Sequence, residues 1–260
     1  MKRFLQSVFL CLAFLNAKAQ VGISVSPPRT YFHLNGGQSE VKSVTVTNVS
    51  SAKTLDLSVS FNDWKYDENG NNIISPPTTL PTSSADWMTV SKPSFRLSPG
   101  ESYDLEVRMT VPFNANTEPV HTTMMYITQT NPQDAVDEQG KAIRVYVRSG
   151  VKIYRRRNAA HNTNVEFISY RYDRGRLQLS IENDGDIWAD GTINTDLVNT
   201  ETGETSELKS IAFYTMPGDK RKLSLQLPEE LEKGKYTAIS IMNCEATAVL
   251  KVAEFNFVHL

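Results

Sequence analysis

The residues whose side chains are best suited to bind a ligand lie in one stretch, where two kinds of side chain alternate. One set of alternate residues is aliphatic or small: Ile143, Val145, Val147, Ser149, Val151 and Ile153. The other set includes basic and aromatic residues: Arg144, Tyr146, Arg148, Lys152 and Tyr154. Basic and aromatic side chains bind anions and peptide groups through hydrogen bonds and cation-π contacts, without a covalent step. This stretch is therefore a candidate surface for recognising a peptide.

Covalent and metal chemistry have little support in the sequence. The 4 histidines are scattered, and no HExxH, GxSxG or CxxC motif is present. The segment Asp67–Asn72 superficially resembles a calcium loop, but its glycine is the fourth residue and not the sixth, which favours a hairpin turn. We therefore expect no catalytic residue, no metal, no cofactor and no enzymatic activity.

The N-terminus has the pattern of a cleavable export signal. Two basic residues precede an apolar run from Val8 to Leu15, and Ala17-Lys18-Ala19 matches the small-x-small pattern that precedes a cleavage site. We predict that residues 1–19 are removed and that the mature chain resides in the periplasm. No later segment supplies the ~20 apolar residues that span a bilayer, so we expect no transmembrane segment after cleavage.

The composition is that of an ordinary globular protein, with 27 basic and 29 acidic residues and a net charge of −2. Removal of residues 1–19 leaves 24 basic and 29 acidic residues, a net charge of −5. This balance argues against nucleic acid as a partner, so we interpret Arg155-Arg156-Arg157 as an interdomain salt-bridge or peptide-binding patch. Cys244 is then the single cysteine, which excludes an intramolecular disulfide and favours a buried packing role.

The hydrophobic residues beyond Gln20 follow the two-residue period of β-strands, and helical periods are almost absent. Glycine, proline, asparagine and aspartate separate the runs, as turns require. The clearest runs are Leu55-x-Leu57-x-Val59, Leu105-x-Val107-x-Met109, Leu177-x-Leu179-x-Ile181 and Leu223-x-Leu225-x-Leu227. This pattern predicts an all-β chain of two tandem immunoglobulin-like β-sandwiches. We place the domains at residues 20–157 and 158–260, because alternation is lost just after Arg157.

A weak internal repeat supports two copies of one architecture. Pro99-Gly100 precedes an alternating strand with the same spacing as Pro217-Gly218. Similarly, the pattern that ends at Asn48 resembles the pattern that ends at Asn183. Because Pro-Gly turns are common in sandwiches, the repeat indicates architecture and not function.

The alternation from Ile143 to Tyr154 predicts a single strand of twelve residues, whereas strands usually have ~5 or 6. In one interpretation the aliphatic side of this strand lies in the core. In the other, the strand lies at a sheet edge, where unpaired backbone groups and an aliphatic row form a template for an added strand. The pattern leaves both open.

Several motifs resemble, in order, those of the periplasmic pilus-assembly chaperones of the PapD-like family. They are Val25-Ser26-Pro27-Pro28-Arg29-Thr30, Gly36-Gly37-Gln38, Val44-Thr45-Val46-Thr47-Asn48, Phe95-Arg96-Leu97-Ser98-Pro99-Gly100, Met125-Tyr126-Ile127 and Val151-Lys152-Ile153-Tyr154-Arg155-Arg156. The resemblance covers residues 23–157 and is only architectural over residues 158–260. It implies two immunoglobulin-like domains in a boomerang, or L shape, with a cleft between them.

The resemblance also implies a function, donor-strand complementation. A pilin-like secreted subunit that lacks its last strand is completed by the chaperone's own edge strand, with an outer-membrane assembly platform as a further partner. By this match Ile143, Val145 and Val147 are the residues inserted into the subunit.

In the family, two basic residues at the base of the cleft bind the subunit's C-terminal carboxylate. Lys152 matches one of them, but Tyr31 stands where the family has an arginine. Arg29 lies two residues earlier, and residues two apart on a strand share a face. We therefore expect Arg29 to reach into the same cleft and to help Lys152 bind the carboxylate. Tyr31 itself could donate only one neutral hydrogen bond.

One alternative function stays open at this point. A structural or adhesive protein of the cell envelope could be built from the same two domains and have no client. Binding of a subunit-sized partner separates the two hypotheses.

Overall fold

A computed structural model describes residues 22–115, 118–136, 139–244 and 249–260. The predicted signal segment, residues 1–19, lies outside them. Among the described residues, no helix has the length and apolar character needed to cross a membrane. In the described part of the chain, one 3-10 helix, Ala85–Trp87, accompanies twenty β-strands. The predicted all-β fold of two sandwiches is confirmed, with one core formed by residues between Phe32 and Ile153 and another by residues between Val165 and Phe257.

The first sandwich consists of two packed sheets. Its strands are β1 (Ile23–Ser26), β2 (Arg29–His33), β3 (Ser39–Asn48), β4 (Leu55–Tyr66), β5 (Asn72–Ser75), β6 (Met88–Val90), β7 (Ser94–Leu97), β8 (Ser102–Thr110), β9 (Val120–Gln129) and β12 (Arg148–Arg156). One sheet has the order β1-β3-β8-β6, and the other has the order β2-β12-β9-β4-β5, with β7 also paired to β4. Alternate residues of each strand fill the core, as in β8, where Leu105, Val107 and Met109 are fully buried.

A separate hairpin extends from this sandwich. It consists of β10 (Gln133–Val136) and β11 (Ala142–Val145), which pair with each other and with no other strand that the structure describes. The prediction of a single strand from Ile143 to Tyr154 is therefore wrong. The chain leaves strand geometry at Tyr146 and Val147 and resumes it in β12.

The break has a local cause in the neighbouring strand. The side chain of Gln129 accepts a hydrogen bond from the backbone N–H of Val147 at 3.3 Å and donates to the carbonyl of Asn131 at 2.6 Å. Pro132 follows, and it has no N–H to donate to a ladder. The backbone N–H of Gln129 still donates to the carbonyl of Val147 at 2.9 Å, so the side-chain amide replaces one of the two backbone hydrogen bonds at the point where the chain bends.

The second sandwich has the same layered construction. Its strands are β13 (Val165–Asp173), β14 (Arg176–Asn183), β15 (Ala189–Asn199), β16 (Thr205–Glu207), β17 (Ile211–Thr215), β18 (Lys220–Gln226), β19 (Gly234–Cys244) and β20 (Lys251–His259). The sheet β13-β14-β18 packs on the sheet β16-β15-β19-β20, in which β17 also pairs with β15. Cys244 is a buried free thiol in this core, as predicted, and burial raises its pKa.

The internal repeat corresponds to one hydrogen-bond motif that occurs in both sandwiches. In the first, the N–H of Gly100 donates to the carbonyl of Asn48 at 3.0 Å. In the second, the N–H of Gly218 donates to the carbonyl of Asn183 at 2.8 Å. Both glycines have positive φ, 74° and 80°, which a residue without a Cβ adopts at no steric cost. The repeat predicted from sequence is therefore confirmed.

The turn between β4 and β5 contacts the second sandwich. Its Asp67 carboxylate accepts hydrogen bonds from the backbone N–H groups of Asn69 and Asn71, both at 2.8 Å, which confirms the predicted hairpin turn. The carbonyl of Glu68 accepts a hydrogen bond of 2.7 Å from the backbone N–H of Lys222 in β18. The side chains of Lys222 and Glu68 also form an ion pair.

Candidate functional site

A cleft between the two sandwiches begins at the junction of β2 and β12. These strands are parallel, and Lys152 lies directly opposite Arg29, two residues before Tyr154 meets Tyr31. Residues at i and i+2 of a strand face the same side of the sheet. The structure thus brings together Lys152, Arg29 and Tyr31 on one surface, and Arg29 is closer to Lys152 along the ladder than Tyr31 is.

The ammonium group of Lys152 is held by aromatic side chains. Its Nζ donates a hydrogen bond of 2.8 Å to the hydroxyl of Tyr66, and it lies 4.2 Å from the ring centroids of both Trp64 and Tyr66. Burial lowers the pKa of Lys152 to about 8, and repulsion from Arg29 and Arg221 acts in the same direction. Among the described residues, no carboxylate forms an ion pair with this lysine.

Arg29 contacts two residues of the second sandwich. Its Nη1 lies 2.9 Å from Oδ2 of Asp190 in β15, and its guanidinium lies 4.5 Å from the ring centroid of Tyr214 in β17. The side chains of Arg29 and Asp190 keep 30% and 23% of their surface exposed. This ion pair therefore bridges the two sandwiches and remains accessible to solvent.

A third cation, Arg221 of β18, is almost completely buried in the same region. Its Nη2 lies 2.7 Å from Oδ2 of Asp219, and its Nε donates a hydrogen bond of 2.8 Å to the carbonyl of Tyr214. Its Nη1 donates to the carbonyl of Asp67, and its guanidinium lies 4.3 Å from the ring centroid of Tyr66. Arg221 thus ties the β4–β5 hairpin to the second sandwich.

The floor of the cleft is aromatic. The rings of Tyr31 and Tyr154 stack with centroids 5.1 Å apart, and Trp188 of the second sandwich lies 5.3 Å from each of them. Trp64 meets Tyr154 edge-on at 5.5 Å. Burial is also the main cause of the raised pKa of Tyr154. Tyr31 is therefore part of a ring cluster that joins the two sandwiches.

A cavity of about 300 Å³ lies beside this cluster. Residues of both sandwiches line it, including Trp64, Leu80 and Pro119 from the first and Met216 and Asp219 from the second. Its walls are mostly apolar, with acidic groups at Glu118 and Asp219.

The structure places the three predicted client-contacting residues outside this cleft. Ile143 and Val145 lie on β11, and each keeps 40% of its surface exposed. Val147 is half-buried at the break between β11 and β12. By contrast, Val151 and Ile153 belong to the same alternating row and are fully buried in the core. The aliphatic row thus changes from exposed to buried along its length, so the prediction that it lies in the core holds only for its second part.

The edge of β12 is open over the part that approaches the cleft. β2 pairs with β12 from Lys152 to Arg156, whereas β9 pairs with it from Arg148 to Arg156. Pro27 and Pro28 precede β2 and have no N–H to donate, so the hydrogen-bonded pairing of this segment with β12 does not continue before Pro28. Within the described residues, no strand pairs with Arg148–Val151 on the side away from β9.

The interpretation of the arginine run is wrong for Arg155. This side chain is completely buried within the first sandwich, where its Nε donates to the carbonyl of Leu34 at 2.9 Å. Its Nη1 lies 3.3 Å from Nδ1 of His121. Burial, followed by repulsion from Arg155, lowers the pKa of His121 to about 4, so this imidazole is neutral at pH 7 and its Nδ1 accepts from Arg155.

Sequence reasoning missed Asp190, Arg221, Trp64, Tyr66 and Trp188. These residues are distant along the chain from Lys152 and Arg29, and no spacing connects them. The one available signal was the concentration of tyrosine and tryptophan near the ends of predicted strands, which is typical of packing interfaces.

No protein-family model and no curated protein matches this chain. Solved structures do resemble it. The YadV chaperone has 12% identity over 91% of this chain and 99% of that one, with a TM-score of 0.47. The class 5 fimbriae chaperone CfaA has 13% identity over 92% and 100%, with a TM-score of 0.49. The SafB chaperone, solved with the SafA pilin of Salmonella enterica, has 14% identity over 94% and 99%, with a TM-score of 0.48.

Proposed function

We propose that the protein is a periplasmic chaperone that binds a pilin-like secreted subunit by adding one of its own strands to the subunit's sheet. The observation that carries this proposal is the open edge of β12 over Arg148–Val151, which leads directly to the cations of the cleft. The interaction is binding alone, so the protein acts as a non-enzyme.

The open edge has the features that strand addition requires. The N–H of Lys152 donates to the carbonyl of Pro28 on the β2 side, so by the two-residue period Arg148 and Gly150 direct their backbone groups to that side also. Gly150 has no side chain, and a Cβ there would lie 3.1 Å from Sδ of Met124 and 3.2 Å from Cε1 of Tyr126. The side chains of Met124 and Tyr126 thus approach the backbone at Gly150, and the backbone groups of this edge are available to another strand.

The direction of β2 suggests how a client strand lies. β2 is parallel to β12 and begins at Arg29, so an added strand that continues its line would run parallel to β12 towards the cleft. Its C-terminus would then arrive beside Lys152 and Arg29. Two cations at that position suit a terminal carboxylate, which accepts strong charge-assisted hydrogen bonds.

The exposed aliphatic residues supply the apolar part of the interaction. Ile143 and Val145 present apolar surface on β11, a strand that has a partner on only its β10 side among the described residues. In the proposed complex these side chains, with Val147, fill the groove left by the subunit's missing strand. Insertion of all three requires β11 and β12 to align across the break at Tyr146 and Val147.

Co-purification from periplasmic extract tests the proposal. We expect a subunit-sized partner to travel with the wild-type protein and to be lost from Val145→Glu, because a carboxylate cannot enter an apolar groove without a large desolvation cost. Val252→Glu is the matched control, since Val252 lies on a strand of the second sandwich and is 58% exposed. Retention of the partner by Val145→Glu would contradict strand addition at this residue.

One observation favours the alternative of an envelope protein without a client. Arg29 already has Asp190 as an internal partner, and Lys152 already donates to Tyr66, so the cleft is stable without a ligand. A wild-type protein that carries no subunit from the extract would support this alternative.

A further inference from the structure

The ion pair between Arg29 and Asp190 occupies the position where the proposed function places a ligand. Arg29 belongs to β2 of the first sandwich, and Asp190 belongs to β15 of the second. The Nη1 of Arg29 donates to Oδ2 of Asp190 at 2.9 Å, which is a charge-assisted hydrogen bond between a guanidinium and a carboxylate. A terminal carboxylate that reached Arg29 would make the same kind of bond. The two carboxylates are therefore chemically equivalent competitors for one cation.

The neighbouring cations are not equally accessible to a ligand carboxylate. Arg221 is buried and paired with Asp219, so a ligand cannot reach it without breaking the contact between the sandwiches. Lys152 is half-buried and has a tyrosine hydroxyl and two rings as partners, but no carboxylate among the described residues. A carboxylate arriving at the open end of β12 thus meets Lys152 without competition and Arg29 with Asp190 in place.

The geometry also makes exchange feasible. Both partners of the ion pair keep part of their surface exposed, 30% for Arg29 and 23% for Asp190, so an incoming group can approach without unfolding the cleft. The guanidinium of Arg29 is additionally supported by the ring of Tyr214 at 4.5 Å, and Tyr214 lies directly opposite Asp190 in the pairing of β15 with β17. This support holds Arg29 in place after its carboxylate partner has changed.

We propose that Asp190 is an internal competitor that occupies Arg29 in the empty cleft and is displaced by the terminal carboxylate of a bound peptide. This inference rests on the proposed function and adds to it a residue that regulates affinity. Asp190 weakens binding of every ligand with a free C-terminal carboxylate, because each must first replace an existing charge-assisted bond. It has no such effect on a ligand without that carboxylate.

The competitor has a second effect because it belongs to the other sandwich. Displacing Asp190 removes an ion pair that bridges the two sandwiches and transfers Arg29 to the ligand. Ligand binding and the contact between β2 and β15 are then linked, since each is made at the expense of the other. A purely structural ion pair would lack this link and would affect both forms of a ligand equally.

The test uses the full mature chain and a synthetic acetylated peptide of alternating threonine and valine, prepared with a free C-terminal carboxylate and as the amide. Isothermal titration calorimetry measures both affinities for the wild type and for Asp190→Asn. We expect Asp190→Asn to bind the free acid about tenfold more tightly than the wild type does, the lower end of the range for one charge-assisted hydrogen bond. Its affinity for the amide should equal that of the wild type.

Three further variants make the test specific. Asp56→Asn is the matched control, because Asp56 forms an exposed ion pair with Arg96 that is separate from the cleft. Arg29→Gln combined with Asp190→Asn should remove the tenfold gain, since the cation for which the carboxylates compete is then absent. Thermal unfolding checks that each variant folds, and Asp190→Ser replaces Asp190→Asn if the latter does not.

The outcomes separate this inference from the function on which it rests. If the wild type binds both peptide forms and Asp190→Asn changes neither affinity, or changes both equally, the competitor role is wrong while strand addition stands. If no form of the peptide binds to the wild type or to any variant, both the strand-addition function and the competitor role are wrong. Weaker binding of the free acid by Asp190→Asn would also overturn the inference.

Discussion

Asn48 and Asn183 occupy equivalent positions in the two sandwiches, and both side chains are completely buried. The carbonyl of each asparagine accepts a hydrogen bond from the turn glycine of a later Pro-Gly pair. The side-chain oxygen of each accepts from the backbone N–H two residues later, at 2.9 Å for Asn48 and 3.0 Å for Asn183. Each side-chain amide then donates to a buried backbone carbonyl, Leu97 in one sandwich and Ile187 in the other.

This equivalence predicts that each asparagine stabilises its own sandwich. Replacement by alanine leaves buried carbonyl and N–H groups without partners, at a cost of about 1–3 kcal/mol for each unsatisfied group. We therefore expect both Asn48→Ala and Asn183→Ala to lower the free energy of unfolding by several kcal/mol, measured by urea denaturation. Asn194→Ala, at an exposed position of β15, should change it little. Equal stability of all three variants would contradict the structural role.

The alternating row around β11 and β12 gives a second prediction. Val145 is 40% exposed on β11, whereas Val151 is completely buried in the first core. We expect Val145→Glu to leave the melting temperature nearly unchanged, because its carboxylate stays in water. Val151→Glu should lower the melting temperature strongly or prevent folding, because an unpaired buried carboxylate costs several kcal/mol. Similar melting temperatures for the two variants would be inconsistent with the bend between the strands.

The lowered pKa of Lys152 predicts that carboxylate binding depends on pH. With a pKa of about 8 in the free protein, this lysine is charged below pH 8 and becomes neutral above it. The affinity for the free-acid peptide should therefore fall as the pH rises through about 8, while the affinity for the amide stays constant. Lys152→Arg keeps its charge over this range, so its affinity should not fall. A wild-type affinity that is constant from pH 7 to pH 9.5 would argue against Lys152 as a carboxylate ligand.

His121 predicts a loss of stability in acid. The unfolded histidine binds a proton near pH 6.5, but the folded one does so only near pH 4, because it is buried and next to Arg155. Between these values the unfolded chain binds more protons, so the free energy of unfolding falls as the pH falls from about 6.5 to about 4. In His121→Gln, whose side-chain oxygen can still accept from Arg155, this pH dependence should be smaller than in the wild type. Denaturation curves at pH 7, 5.5 and 4.5 measure the difference, with His259→Gln as the control.

Local patterns in the sequence were sufficient to predict several of the strands and the repeated turn. Leu105, Val107 and Met109 alternate with polar residues, and burial of one strand face follows directly from that period. The repeated Pro-Gly turns, and the similar patterns that end at Asn48 and Asn183, correspond to one hydrogen-bond motif that both sandwiches contain. Such features depend on neighbours along the chain or on one sheet partner, which a single sequence contains.

These local patterns did not predict the bend between β11 and β12 or the contacts that form the cleft. The alternation from Ile143 to Ile153 is regular, but the N–H of Val147 bonds to the side chain of Gln129 on a neighbouring strand and not to its backbone carbonyl. Similarly, Arg29 and Asp190 are 161 residues apart, and only the packing of one sandwich on the other brings them together. Interactions between side chains of different elements have no periodic signal, so the sequence indicated Lys152 and Arg29 but none of their partners.

The hydrogen bond from the N–H of Lys222 to the carbonyl of Glu68 has an evolutionary consequence. Because both groups belong to the backbone, this contact between the sandwiches does not depend on which side chains occupy the two positions. Substitutions can accumulate at Lys222 and Glu68, and the ion pair between them can be lost, while the hairpin remains attached to β18. We therefore expect homologues to diverge freely at these two positions. The exception is proline at position 222, because proline has no N–H to donate to the carbonyl of residue 68.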